Sequence, residues 1–144
     1  MAKPRTDAHE VALRALRHRD LSVRELDERL RARGFGDVER DETIDTLVRT
    51  GLVDDVRYAE SRARQLASRG AGDALIRHTL LQAGVDAAAA ADALLTLAPE
   101  AERARSVVDR RGPGPRTARY LLGKGFSEEV VSGVFAASGA DELG

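Results

Sequence analysis

The side chains best suited to hold a partner in this chain are its arginines. Between residues 103 and 124 stand Arg103, Arg105, Arg110, Arg111, Arg116, Arg119 and Lys124, opposed by Asp109 alone, a local balance of seven minus one, or +6. A second basic group, Arg62, Arg64, Arg69 and Arg77, crosses the middle of the chain, and Arg57 and Tyr58 follow the pair Asp54-Asp55. A guanidinium is planar, always charged and pairs with carboxylates or phosphates through two parallel N–H donors. Any one of these arginines has an ordinary alternative as solvated helix surface, but their concentration in one stretch marks a binding face for acidic protein surface or for phosphate. The whole chain carries a formal charge of −1, and acidic residues Glu128, Glu129, Asp141 and Glu142 follow the last basic group. Charge is therefore separated along the last third of the sequence.

Catalytic chemistry finds no comparable set. Asp54 and Asp55 lack the base or metal ligands that a carboxylate site requires, and both read as the start of a helix, one capping it and the other favouring its positive end. His9, His18 and His78 match no HExxH-like pattern. Ser22 and Ser127 sit where caps are needed, with no G-x-S-x-G elbow around them. In Gly112-Pro113-Gly114-Pro115 the prolines remove the amides a phosphate loop needs, and Gly123-Lys124-Gly125 lacks the other residues of a P-loop. No enzyme, cofactor or metal site is expected. With no cysteine, disulfides are excluded. No signal-peptide pattern and no apolar run of membrane length is seen, so a cytoplasmic location is expected.

The elements that carry these residues are helices. Hydrophobic residues make up 42% and charged residues 33%, while aromatics are only 3%; such a core must be built from Leu, Ala, Val and Ile, in a sequence rich in helix formers. A repeat organises them. Gly34-Phe35, Gly84-Val85 and Gly125-Phe126 are equivalent: four residues before each glycine stand Leu30, Leu80 and Leu121, and ten after stand Ile44, Leu94 and Phe135. Eighteen before stand Leu16, Leu66 and Val107, and eight before stand Leu26, Ile76 and Thr117. Each copy reads as three short helices. Asp7 caps the first, over about residues 8–18. Ser22-Val23-Arg24-Glu25 is a capping box for the second, and Gly34 stops it. Asp37 caps the third, where Ile44, Leu47 and Val48 share a face. Asp54, Asp86 and Ser127 are the corresponding caps further on. The expected fold is all-α: three tandem three-helix, helix-turn-helix-like modules over residues 1–53, 54–98 and 99–144. Modules this small bury little surface alone, so stacking into an elongated, curved array is expected.

Four stretches, in order and spacing, resemble the RecX family: Leu21-Ser22-Val23-Arg24-Glu25-Leu26 with Arg33-Gly34-Phe35; Gly51-Leu52-Val53-Asp54-Asp55-Val56-Arg57-Tyr58-Ala59; Arg69-Gly70-Ala71-Gly72 with Ile76, Leu80, Gly84 and Val85; and Leu121-Leu122-Gly123-Lys124-Gly125-Phe126. The resemblance covers about residues 8–138. It implies three tandem three-helix modules, binding in the groove of the RecA–DNA filament, and suppression of RecA's ATP hydrolysis, strand exchange and co-protease activities in DNA repair and the SOS response. The candidate contact residues are Arg57, Tyr58, Arg62, Arg64, Arg69, Arg77, Arg110, Arg111, Arg116, Arg119 and Lys124. The expected partner is the RecA filament, with weak electrostatic contact to DNA and a monomeric chain. Two other readings are open at this point: a stand-alone helix-turn-helix DNA-binding protein, with Ser22 to Arg33 as its recognition helix, and a scaffold with no link to nucleic acid.

Overall fold

In a computed structural model, the backbone is described for residues 6–143 and the side chains for residues 6–137. The described residues form helices and no strand: α1 (Ala8–His18), α2 (Val23–Ala32), α3 (Asp37–Arg49), α4 (Asp55–Ser68), α5 (Asp73–Gln82), α6 (Ala87–Leu95), α7 (Glu100–Arg111), α8 (Pro115–Gly123) and α9 (Glu128–Leu143).

Short polar side chains start these helices by satisfying amides that have no partner in the first turn. Asp7 Oδ1 accepts from Glu10 N at 2.8 Å, Asp86 Oδ1 from Ala89 N at 2.7 Å, and Ser127 Oγ from Val130 N at 3.1 Å. Asp54 Oδ1 accepts from both Val56 N and Arg57 N. At α2 the capping box is complete, since Ser22 Oγ accepts from Glu25 N while Glu25 Oε1 accepts from Ser22 N. α3 departs from expectation. Its N-cap is Gly36, and Asp37 is the first helical residue. The Asp37 carboxylate is drawn instead to Arg40, 2.6 Å away. Gly34, with φ +90°, stops α2 as expected.

Two compact units result. One holds the residues up to Tyr58 together with Ala83–Val85; the other holds Ala59–Gln82 and the residues from Asp86 on. In the first unit α1, α2 and α3 pack on one another around Val11, Ala12, Leu21, Leu26, Leu30, Phe35, Ile44, Leu47 and Val53. Val48, expected on that inner face, is 48% exposed, because Ile44 and Leu47 already fill the side toward α1 and α2. In the second unit α7, α8 and α9 pack together, as do α5 and α6. Ala104, Val107, Val108, Leu121, Phe126, Val131 and Val134 form the core of the last three helices.

The reason Ala83–Val85 belongs to the first unit is local. Ser22, fully buried, donates its hydroxyl hydrogen to Ala83 O at 2.5 Å while still capping α2. Asp55 Oδ1 accepts from Val23 N at 2.9 Å, tying the start of α4 to the start of α2. Ser22→Ala removes a cap and leaves a buried carbonyl without its donor, so a stability loss of about 1–2 kcal/mol is expected. Urea denaturation checks it, and an unchanged midpoint would assign Ser22 no such double role.

Candidate interaction surface

Arg57 and Tyr58 are positioned by the first turn of α4. Arg57 Nη1 donates to Gly51 O at 2.9 Å and Nη2 to Leu52 O at 3.2 Å, with Asp20 Oδ2 at 3.8 Å from Nε. Its guanidinium thereby satisfies carbonyls beyond the end of α3 and fixes the α3–α4 turn. Tyr58 is 4% exposed. Its ring is a packing residue, which corrects the expectation that it offers a contact surface: a partner cannot reach it without opening the fold.

The remaining candidates all belong to the second unit. Arg62 is half-buried, its Nη1 donating to Gln65 Oε1 at 3.3 Å. Arg64, Arg69 and Arg77 are exposed. Arg77 borders a cleft of about 440 Å³ between α5, α6 and α7, whose walls include Asp73, Leu94, Leu95, Pro99 and Glu100. Arg110 is exposed, its Nε donating to Ser106 O at 3.3 Å.

Arg111, Arg116 and Arg119 converge. They line an open hollow of about 520 Å³ around Gly112–Pro115, together with Thr117 and with no acidic residue. Local sequence explains the convergence. Gly112, at φ +93°, ends α7 directly after Arg111, and Pro115 begins α8 at its first helical position. Arg116 and Arg119, three apart on α8, share a face. Arg111 stacks over the Tyr120 ring, its guanidinium carbon 3.7 Å from the centroid, a cation–π geometry that holds it in place. A Cβ added at Gly70 would meet Tyr120 Oη at 3.4 Å and Lys124 Cε at 3.8 Å, so the turn that follows Arg69 abuts the Tyr120 and Lys124 side of α8. Cations clustered around an acid-free hollow can hold an anionic group, with the start of α8 adding favourable dipole.

Two arginines are turned inward, which their sequence positions do not signal. Arg40, among the buried residues, donates to Asp27 Oδ1, Phe35 O and Asp37 Oδ1 at 2.9, 2.7 and 2.6 Å. The hydrogen bond to Asp27 raises its pKa, so it is held charged. Arg103, counted above among the surface cations, is withdrawn from that surface. Nη1 and Nη2 both donate to Asp73 Oδ1, at 2.9 and 2.6 Å, and its guanidinium carbon lies 5.9 Å from the Phe126 centroid. The spacing gave no signal for either pair, since Asp73 and Arg103 meet only through tertiary packing. Also unanticipated are the exposed apolar side chains Leu52, Val56 and Leu95, the last 83% exposed beside the cleft. Asp141 and Glu142 of the acidic tail lie outside the residues whose side chains are described.

Glu100 joins the Arg103–Asp73 pair. Burial pushes its carboxyl above the ordinary 4.5, and hydrogen bonding and charge from Asp73 push the same way. The hydrogen bond from Ser127 N, at 2.9 Å, and the charge of Arg103 oppose this. A raised folded pKa means the folded chain takes up the proton more readily than the unfolded chain, so ionising Glu100 costs stability as pH rises above 4.5. Glu100→Gln keeps an acceptor for Ser127 N and removes that cost. The variant is expected to melt higher than the parent at pH 7, with the gap closing below pH 4.5. A gap that is constant with pH would contradict this.

Among the described residues no group of three or more His, Asp or Glu is placed to hold a metal ion, and no helix is long and apolar enough to cross a membrane.

Comparison with known proteins gives a consistent result. Residues 54–94 match the family described as RecX, second three-helix domain. The chain is 37% identical to the regulatory protein RecX of Chromohalobacter salexigens, over 90% of this chain and 89% of that protein. It is 32% identical to the regulatory protein RecX of Acidithiobacillus ferrooxidans, over 95% and 94%. The fold is similar to the crystal structure of RecX from Lactobacillus salivarius, with a TM-score of 0.77, 23% identity and coverage of 90% and 93%.

Proposed function

The chain belongs to the RecX family of regulatory proteins, and from that premise we propose that it binds the RecA–DNA filament and restrains it. Binding inhibits ATP hydrolysis, strand exchange and co-protease activity, and so modulates recombination, DNA repair and the SOS response in the cytoplasm. The observation that carries this reading is the acid-free hollow of Arg111, Arg116 and Arg119. The α7–α8 connection brings these three arginines to one hollow, with Arg111 held over Tyr120, and a nucleoprotein filament offers them both carboxylate-rich protein surface and phosphate.

The action is by occupancy. Lys124, Arg110 and the exposed arginines Arg64 on α4, Arg69 just after it and Arg77 on α5 extend the cationic surface, with half-buried Arg62 beside them. Arg57 acts indirectly, by holding the turn that presents Leu52 and Val56 at 49% and 55% exposure. Opposite charge supplies orientation and on-rate, and apolar anchors supply residence time. A chain of three three-helix modules seated along successive filament protomers obstructs their relative movement and the entry of a second duplex, without chemistry of its own.

Co-sedimentation tests the binding step. The chain is expected to pellet with RecA assembled on single-stranded DNA and to remain in the supernatant with bare DNA at physiological salt. Tight, sequence-selective binding to duplex DNA without RecA would favour the helix-turn-helix alternative, whereas weak, salt-sensitive binding would not.

A further inference from the structure

The repeat places one junction twice within the fold. Counted from the glycine of each copy, Ser22 and Gly72 are equivalent, both twelve residues ahead, at the start of the second helix. Ala83 and Lys124 are equivalent as well, each just before the glycine of the following copy. At the first junction Ser22 Oγ donates to Ala83 O at 2.5 Å. At the second, Gly72 N donates to Lys124 O at 2.8 Å, and Ala74 N adds a bond to Gly125 O at 3.2 Å. Steric closeness repeats with the hydrogen bond. A Cβ at Gly84 would come within 2.6 Å of Arg24 Cβ, and one at Gly125 within 2.6 Å of Leu75 Cβ. Each junction thus seats the start of one copy's second helix on the glycine turn of the next.

Among the described residues, two faces of this kind are left without a partner. The glycine turn of the first copy, Arg33-Gly34-Phe35, has nothing within 4 Å of a Cβ built on Gly34. The helix start of the last copy is Gly112-Pro113-Gly114-Pro115. Here the position equivalent to Ser22 and Gly72 is Pro113, and the position equivalent to Ala74 is Pro115. Ser22 donates through a hydroxyl and Gly72 through an amide; proline has neither. Both donor positions of the junction are therefore blank in the last copy, although the turn's other residues, glycines and a following helix, resemble those of a working junction. Repeat arrays need an end that does not accept another repeat.

We propose that Pro113 and Pro115 seal the third module against the Gly34 turn of a second copy of this chain, so that copies do not join head to tail. The seal works in two ways: it withholds hydrogen-bond donors from carbonyls that the docked turn would bury, and it places the Pro113 ring where, at Gly72, a Cβ would come within 2.5 Å of Gly125 C.

The test is a gain of function. Pro113→Gly with Pro115→Ala restores both amides at exposed positions, and wild-type helical content by circular dichroism confirms its fold. In sedimentation velocity the wild-type chain is expected to stay at its 15.5 kDa mass, while the double variant rises with concentration toward two or more copies. Adding Gly34→Asn, a residue that tolerates left-handed backbone, places a Cβ where the incoming helix start would sit and is expected to return the variant to one copy. Hydrogen exchange on the double variant provides a second reading, with new protection at residues 33–35 and 112–116. A double variant that stays at one copy up to about 1 mM, a wild-type chain that already associates, or protection elsewhere than these two segments would overturn the proposal.

Discussion

Arg116→Glu together with Arg119→Glu is expected to raise the concentration of chain that halves RecA-driven ATP hydrolysis by at least about tenfold, since each misplaced like charge in an interface costs on the order of a kcal/mol or more and about 1.4 kcal/mol is a factor of ten. Both residues are exposed on α8 and line the hollow shared with Arg111. Neither side chain makes a hydrogen bond or ion pair among the described residues. The same change should therefore alter stability by no more than about 0.5 kcal/mol, which separates loss of binding from loss of structure. Salt titration adds a second readout, because inhibition by the parent should weaken with ionic strength more steeply than inhibition by the variant. Equal inhibition by parent and variant would remove this hollow from the interface.

Arg103→Ala is expected to be the most damaging change to a charged residue of the second unit, at about 2–3 kcal/mol in urea denaturation. The side chain is 12% exposed and its partner Asp73 is 30% exposed, so the pair sits between a surface bridge and a fully buried one. Removing the guanidinium leaves Asp73 facing Glu100, whose carboxyl is already pushed up by burial and by that neighbour. The loss should be larger at neutral pH than below pH 4.5, where Glu100 takes up its proton and no longer repels Asp73. Arg103 Nε is a buried nitrogen with no hydrogen-bond partner, the consequence of turning the fork of the guanidinium toward Asp73 and its face toward Phe126. Arg103→Lys retains charge without the fork and should fall between parent and Ala. A loss under about 0.5 kcal/mol, the level of an ordinary surface change, would show that Asp73 and Glu100 find water or other partners instead.

Helix starts and stops were legible because they depend on neighbours within four residues. Asp7, Ser22, Asp54, Asp86 and Ser127 cap as their positions require. Asp37 was misread because a strong local preference met a stronger tertiary one: Arg40, drawn inward by Asp27 and Phe35 O, claims its carboxylate. Val48 was misplaced for a related reason, as helical spacing defines a stripe but not how wide a neighbouring helix makes it. The basic stretch at 103–124 was visible as a charge count. Its division was not, because Arg103 and Asp73 come together across thirty residues, and nothing in a linear balance separates a paired guanidinium from a free one. Arg57 and Tyr58 stand in a family-like segment, yet one secures backbone carbonyls and the other fills the core. For these two residues the structure shows a role in a local turn and in packing.

The duplicated junction shows what a repeat adds beyond periodicity. Equivalent positions can be compared for the contacts they make: Gly72 donates an amide and leaves no room for a Cβ, which would come within 2.5 Å of Gly125 C, whereas Pro113 lacks the amide and carries a ring. Hydropathy alone does not distinguish them.

ATP hydrolysis by RecA on single-stranded DNA, followed with increasing amounts of this chain, bears most directly on the central claim. A saturable, concentration-dependent fall in the hydrolysis rate is the predicted result. Hydrolysis that continues unchanged at a several-fold molar excess of correctly folded chain over RecA would contradict it.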